Sequence, residues 1–178
     1  MDIDIIHGDI KPQNVLVFKD ATGTTVKVTD FGYSTLAAAE AGKVLLPKSR
    51  PWNAPEYHSG EFKAFEAKKT DVYSFGMLCL WVLFGNRLAE IPQTTAEGVT
   101  ELISFDAPLR HGRPTLLERL KDEDKVEYIA NQLMESMPDL NPEYRIRLKE
   151  LFSVTLPLNP EKRTSDLGKS VGFLSQEQ

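Results

Sequence analysis

From Asp71 to Phe84 the chain reads Asp-Val-Tyr-Ser-Phe-Gly-Met-Leu-Cys-Leu-Trp-Val-Leu-Phe. Thr70 or Asp71 can cap a helix here and Gly85 can close it, so the pattern predicts a helix over about 71–84. From Phe75 to Phe84 that helix is apolar on nearly every side. A helix of this kind is buried all round, so the rest of the chain has to pack around it as a central post. Its longest apolar run, Met77 to Phe84, is far too short to span a bilayer.

The segments before and after the post differ in kind. Ile5-Ile6 leads into a polar loop at 7–14, and Val15-Leu16-Val17-Phe18 reads as a buried strand. The turn Lys19 to Thr25 then leads to the alternating Val26-Lys27-Val28, which makes a small antiparallel ribbon with the loop at one end. From Tyr33 to Pro55 periodicity fails: an Ala-rich patch at Ala37 to Ala41 precedes Pro47, Pro51 and Pro55. A long irregular stretch inside a compact domain is usually functional or disordered. Val126, Ile129, Ala130, Leu133, Met134 and Met137 follow helical spacing. Asn141-Pro142 caps a second helix carrying Tyr144, Leu148, Leu151, Phe152 and Thr155. A last short helix carries Leu167, Val171 and Leu174, so C-terminal helices are expected over about 115–175. The mixed charges from Lys121 to Lys125 read as solvated surface. The fold class expected is mainly α with a small β-ribbon at the cleft end.

The 178 residues carry a formal net charge of -5, which argues against nucleic acid or an anionic membrane as the main partner. The lone Cys79 sits in the apolar run and is expected to be a buried, reduced thiol. Met-Asp-Ile-Asp at the start is no signal peptide, and a cytoplasmic or nuclear protein is expected. One cysteine and three scattered histidines (His7, His58 and His111) make no zinc cluster.

The chemistry concentrates in His7-Gly-Asp-Ile-Lys-Pro-Gln-Asn14. Asp9, Lys11 and Asn14 put a carboxylate, an ammonium and a carboxamide into one loop stiffened by Pro12. Such a set can handle a phosphorylated substrate and a hard cation together. Asp30, just after the second ribbon strand, lies at the same end and can converge on Asp9, with Asn14 adding an oxygen. An all-oxygen set with few protein ligands suits Mg²⁺, which keeps water and borrows phosphate oxygens.

His7-x-Asp9-x-Lys11-x-x-Asn14, then Asp30-Phe31-Gly32, then Ala54-Pro55-Glu56, resembles the eukaryotic protein kinase signature in its usual order. Asp71-Val72-Tyr73-Ser74-Phe75-Gly76 resembles the start of that family's central helix. Arg163 resembles the arginine that pairs with the glutamate of Ala-Pro-Glu. Residues 1–178 then read as a partial kinase catalytic domain, with the catalytic loop at 7–14 and the activation segment at 30–56. The resemblance implies ATP and Mg²⁺ as cofactors and a protein substrate. Asp9 would be the catalytic base and Lys11 would neutralise charge on the transferred group. Lys11, Asn14 and Asp30 would hold the nucleotide, with Asn14 and Asp30 as metal ligands. His7, Glu56, Asp71 and Arg163 would be structural, Asp71 as a brace for the loop backbone. Lys11 resembles the serine/threonine branch. Ser49 and Trp52 fall in the substrate-docking segment, while Trp52 and Trp81 read as packing residues by type.

Two departures follow from the same resemblance. Gly8 stands where most members have an arginine that receives an activation-loop phosphate. Activity is therefore expected not to depend on phosphorylation of Ser34, Thr35 or Ser49. The family's glycine-rich loop and β3 lysine precede the catalytic loop, which here starts at residue 7. The chain is expected to be a C-terminal lobe without its N-terminal lobe, weakly active or inactive alone, with exposed apolar surface and room for a separate N-lobe or regulatory partner. The alternatives are a non-catalytic binding module, or a truncated gene product. A further alternative is a small-molecule phosphotransferase of the aminoglycoside or choline type, which His-Gly-Asp also resembles.

Overall fold

The computed structural model describes residues 5–21, 23–36, 43–57, 61–88, 92–94, 100–106 and 114–168. Among these residues, four two-stranded antiparallel pairs accompany a helical body. Strand β1 (Ile5–Ile6) pairs with β4 (Thr35–Leu36), and β2 (Val15–Asp20) with β3 (Gly23–Val28). Strand β5 (Lys43–Leu45) pairs with β6 (Glu61–Lys63), and β7 (Pro92–Thr94) with β8 (Thr100–Leu102). The helices are α1 (Ala64–Leu88), α2 (Leu116–Asp122), α3 (Val126–Glu135) and α4 (Pro142–Thr155).

Helix α1 is the post. Tyr73, Met77, Leu80, Phe84 and Leu88 form one buried cluster with Leu117 and Leu120 of α2, Ile129 and Leu133 of α3, and Phe152 of α4. Burial of such side chains is worth about 1.5–3 kcal/mol each. Gly76 lets the end of α4 come close, since a Cβ there would stand 2.6 Å from Thr155 Oγ1. The cap of α4 is as read, with Asn141 Oδ1 accepting from Glu143 N and Pro142 in the first turn.

Several expectations need correction. Helix α1 begins at Ala64, so Thr70 and Asp71 lie inside it, and it runs through Gly85 to Leu88. Asp71 is therefore not its cap. Nor is the post buried all round: Trp81, Val82 and Leu83 are exposed on its outer face. The strand Val15 to Phe18 is not buried either, because the β2–β3 ribbon stands out with both faces open, Val17 being 66% exposed. The stretch 33–55 is less irregular than its sequence, because β4 and β5 pair with strands distant in sequence. Lys121 is buried, not solvated. Cys79 is only partly buried, although burial still pushes its thiol up to about 12. The Ala37–Ala41 patch, His58, His111, Val171 and Leu174, and with them the end of the 115–175 helical span, lie outside the described residues.

Candidate active site

The loop at 7–14 is held by atoms far away in sequence. The Asp71 carboxylate, on α1, accepts from the backbone N–H of His7 (2.6 Å) and of Gly8 (2.9 Å). The two extra acceptors that a carboxylate offers thus satisfy loop donors that no strand or helix takes. His7 is buried and bridges the loop: Nδ1 accepts from Asp9 N at 3.2 Å, so Nε2 is the nitrogen that donates to Thr29 O at 2.9 Å. Gly8 sits at φ +81°, a left-handed conformation that glycine adopts without a Cβ penalty.

Burial raises the Asp71 carboxyl to about 6, against the lowering pull of its bonds to Gly8 and His7. Its unfolded value is 3.8. The folded state thus binds the proton more tightly, and the stability this gives is full below about 4 and lost as pH rises through about 6. In chemical denaturation, the wild-type chain should lose stability relative to Asp71→Asn across that window, with a flat difference above it. A difference that grows as pH falls from 6 to 4 in the opposite sense would contradict this.

Pro12 opens a 3-10 turn over Pro12–Asn14, which turns Asn14 back toward Asp9. Asn14 Nδ2 donates to Asp9 O (2.8 Å) and to Asp9 Oδ2 (3.1 Å). Lys11 Nζ pairs with the same Oδ2 at 2.7 Å and donates to Ser49 Oγ at 3.2 Å. Asp9 is buried, and its other oxygen, Oδ1, has no hydrogen-bond partner among the described residues. A buried acceptor without a partner is rare and calls for an explanation, of which a catalytic role is one. Burial works to raise the Asp9 carboxyl. Hydrogen bonds from Lys11 and Ser49, the Lys11 charge and Asn14 together outweigh it and hold the group below the usual carboxylate range. The site therefore keeps an ionised carboxylate with one oxygen committed and one open. Gly8, Asp9, Ser49, Trp52 and Asn53 line a recess at this point.

Asp30 does not line this recess. It is exposed, holds a left-handed backbone (φ 63°), and accepts from Gly32 N at 3.4 Å. Its neighbour Thr29 donates to Asn14 O at 2.8 Å, which ties the two segments together by their backbones. Asn14 spends its amide nitrogen on Asp9, leaving Oδ1 as the atom a cation could take. With the Asp30 carboxylate this is an all-oxygen set, which fits Mg²⁺ and a phosphate ligand better than a thiolate- or imidazole-seeking metal. Among the described residues no three His, Cys, Asp or Glu side chains group together.

Glu56 and Arg163 meet in a bidentate pair, Nη1–Oε1 at 2.6 Å and Nη2–Oε2 at 2.8 Å. Arg163 also donates to Pro157 O, Lys69 O and Leu158 O, and its guanidinium lies 4.7 Å from the Tyr73 ring centre. Trp52 is buried, stacked on Phe105 and edge-on to Trp81. It is therefore a wall of the recess rather than an open docking surface.

One participant escaped the sequence reading. Lys121 Nζ donates to Pro51 O (2.8 Å) and Asn53 O (2.5 Å), inside the same segment. The signal was present: Thr115-x-x-Glu118 is a capping box, which starts a helix whose Leu117 and Leu120 flank Lys121 on the buried side.

Known proteins share this arrangement of residues in sequence. The family model for the protein kinase domain matches residues 2–156. A serine/threonine-protein kinase of Myxococcus xanthus, pkn2, is 39% identical over 118 residues, covering 65% of this chain and 14% of that protein. The Saccharomyces cerevisiae serine/threonine-protein kinase CHK1 is 27% identical over 155 residues, 85% of this chain and 27% of its own. The Danio rerio serine/threonine-protein kinase SBK1 is 28% identical over 154 residues, 84% and 37% respectively. The matched part of the chain thus spans well under half the length of these relatives.

Proposed function

The chain belongs to the protein kinase domain family, and on that premise we propose that it carries the phosphoacceptor side of a serine/threonine protein kinase site. The observation that carries this reading is Asp9. Its Oδ2 is fixed by Lys11 and Asn14, while its buried Oδ1 has no partner among the described residues. An ionised carboxylate so placed can orient a substrate hydroxyl and accept its proton. Bound Mg²⁺-ATP would supply the γ-phosphate, and its cation would offset the phosphate charge. Asn14 Oδ1 and the Asp30 carboxylate would hold that cation, and Lys11 would face the phosphate charge. Positioning and electrostatics of this kind carry most of phosphoryl transfer.

Glu56, Arg163 and Asp71 act on this reading as a frame. Asp71 fixes the loop backbone, and the Glu56–Arg163 pair fixes the end of the segment that carries Ser49. Gly8 offers no cation to a phosphorylated activation segment, so regulation by such a phosphate has no receptor at that position.

No Gly-x-Gly-x-x-Gly occurs in the 178 residues. We take the described body to correspond to a kinase C-lobe, which needs a nucleotide roof to complete the site. Apolar surface favours this: Val17, Phe18 and Val26 are open on the ribbon, and Trp81, Val82 and Leu83 on α1. Without such cover, weak nucleotide binding and weak transfer are expected. The free cysteine and the net charge of -5 suit a cytoplasmic or nuclear protein. No helix among the described residues is long and apolar enough to cross a membrane.

An acceptor screen with labelled ATP and Mg²⁺ tests the substrate class. Label on Ser or Thr of protein acceptors is expected. Label on an aminoglycoside or choline would favour a small-molecule phosphotransferase, and Mg²⁺-ATP binding with no transfer to any acceptor would favour a binding module.

A further inference from the structure

The turn at 49–53 forms the wall of the recess. Trp52 N and Asn53 N both donate to Ser49 O, at 2.8 and 3.0 Å. That folds the segment so that Ser49 Oγ reaches Lys11, and through Lys11 the Asp9 carboxylate. Trp52 anchors the turn on one side, in the core against Phe105 and Trp81. On the other side α2 presents two side chains one helical turn apart. Glu118 Oε1 pairs with Arg50 Nε at 2.9 Å. Lys121, three residues on, buries its ammonium against the Pro51 and Asn53 carbonyls and stands 5.8 Å from the Tyr73 ring centre.

A lysine is seldom buried unless its charge is answered. Here the answer is two backbone carbonyls, helped by the nearby charges of Glu118, Asp122 and Glu56 and opposed by Arg50. Burial still dominates and brings the amine down to about 8. A leucine or methionine would fill the same volume more cheaply, so the feature that lysine adds is its grip on two carbonyls of one turn.

We infer that Lys121 is a positioning residue for the phosphoacceptor side of the site: it pins the Pro51 and Asn53 carbonyls and so fixes the wall that Ser49 and Trp52 present beside Asp9. The role rests on the kinase reading, whereas the tether does not. Lys121 touches neither substrate nor nucleotide, and acts through the turn.

The test is amide hydrogen exchange on the whole chain, with Lys121→Met and Lys121→Gln beside wild type. The Trp52 and Asn53 amides should exchange about tenfold faster in the variants, with α3 and α4 amides unchanged. Where transfer is measurable, the KM for an acceptor peptide should rise about tenfold while the dependence on ATP stays as in wild type. Wild-type exchange at Trp52 and Asn53 in a folded variant would overturn the tether. Loss of folding in both variants would overturn the positioning role, leaving Lys121 as part of the general frame. A wild-type chain inert toward every acceptor would sink the kinase reading and the role built on it, with the tether still decided by exchange.

Discussion

Asp9→Asn lowers γ-phosphate transfer to a protein acceptor by about 10²–10⁴-fold, the usual weight of a positioned general base. The change is isosteric, and the 2.8 Å bond from Asn14 to the Asp9 carbonyl does not involve the side chain. What is lost is the charge that Lys11 answers at 2.7 Å and the acceptor Oδ1 that has no partner among the described residues. An amide can be oriented there with its oxygen toward Lys11, but it then offers the recess a donor rather than an acceptor. The substrate hydroxyl would lose its proton acceptor. Labelled-phosphate transfer at saturating acceptor reads this directly, with thermal unfolding as the control for folding. A rate within about threefold of wild type would remove Asp9 from the role of base.

The second large effect is on stability. Arg163→Met should destabilise the fold by about 3–5 kcal/mol, the usual cost of breaking a buried ion pair from one side. For a domain of this size that is a fall in Tm of about 6–20 °C. The Arg163 side chain is fully buried and spreads its donors over Glu56 and three carbonyls. Removing it leaves all of those acceptors without their donor at once. Glu56→Gln should fall at the lower end of the range, because the three carbonyls go on answering the guanidinium and Gln retains one acceptor. A loss under about 1 kcal/mol for Arg163→Met, read by denaturant unfolding, would mean that the pair does not brace the fold.

The residues of the site were legible because most of them are close in sequence. Asp9, Lys11 and Asn14 share one loop, and Pro12 sets the turn that folds Asn14 onto Asp9. The α4 cap, Asn141-Pro142, and the α3 face from Val126 to Met134 were legible for the same local reason. Asp71 shows where local reasoning stops. By propensity an aspartate before an apolar run is a helix cap, whereas here its carboxylate binds two backbone donors 63 and 64 residues away. The start of α1 was hidden for a related reason. Phe62 and Ala67 belong to a separate small core with Ile6 and Leu46, which has no periodicity of its own. The β5–β6 pairing joins stretches that are each too short to read as strands. Lys121 was hidden by its charge: among Asp122, Glu123, Asp124 and Lys125 it looks solvated, and only its place on the inner face of α2 distinguishes it. The exposed faces of the ribbon and of α1 follow from the same limit, since apolar sequence alone does not say what covers it.

On the proposed reading, Asn14 and Asp30 would hold a cation beside Lys11 and Asp9. Backbone NMR with Mn²⁺-ATP addresses it even if binding is weak, because paramagnetic broadening reports proximity to the ion. The amides of Asn14 and Asp30 should broaden first, Mn²⁺ without ATP should have little effect, and Asp30→Asn should abolish the broadening. Broadening centred away from the 7–14 loop, or unchanged in Asp30→Asn, would contradict it.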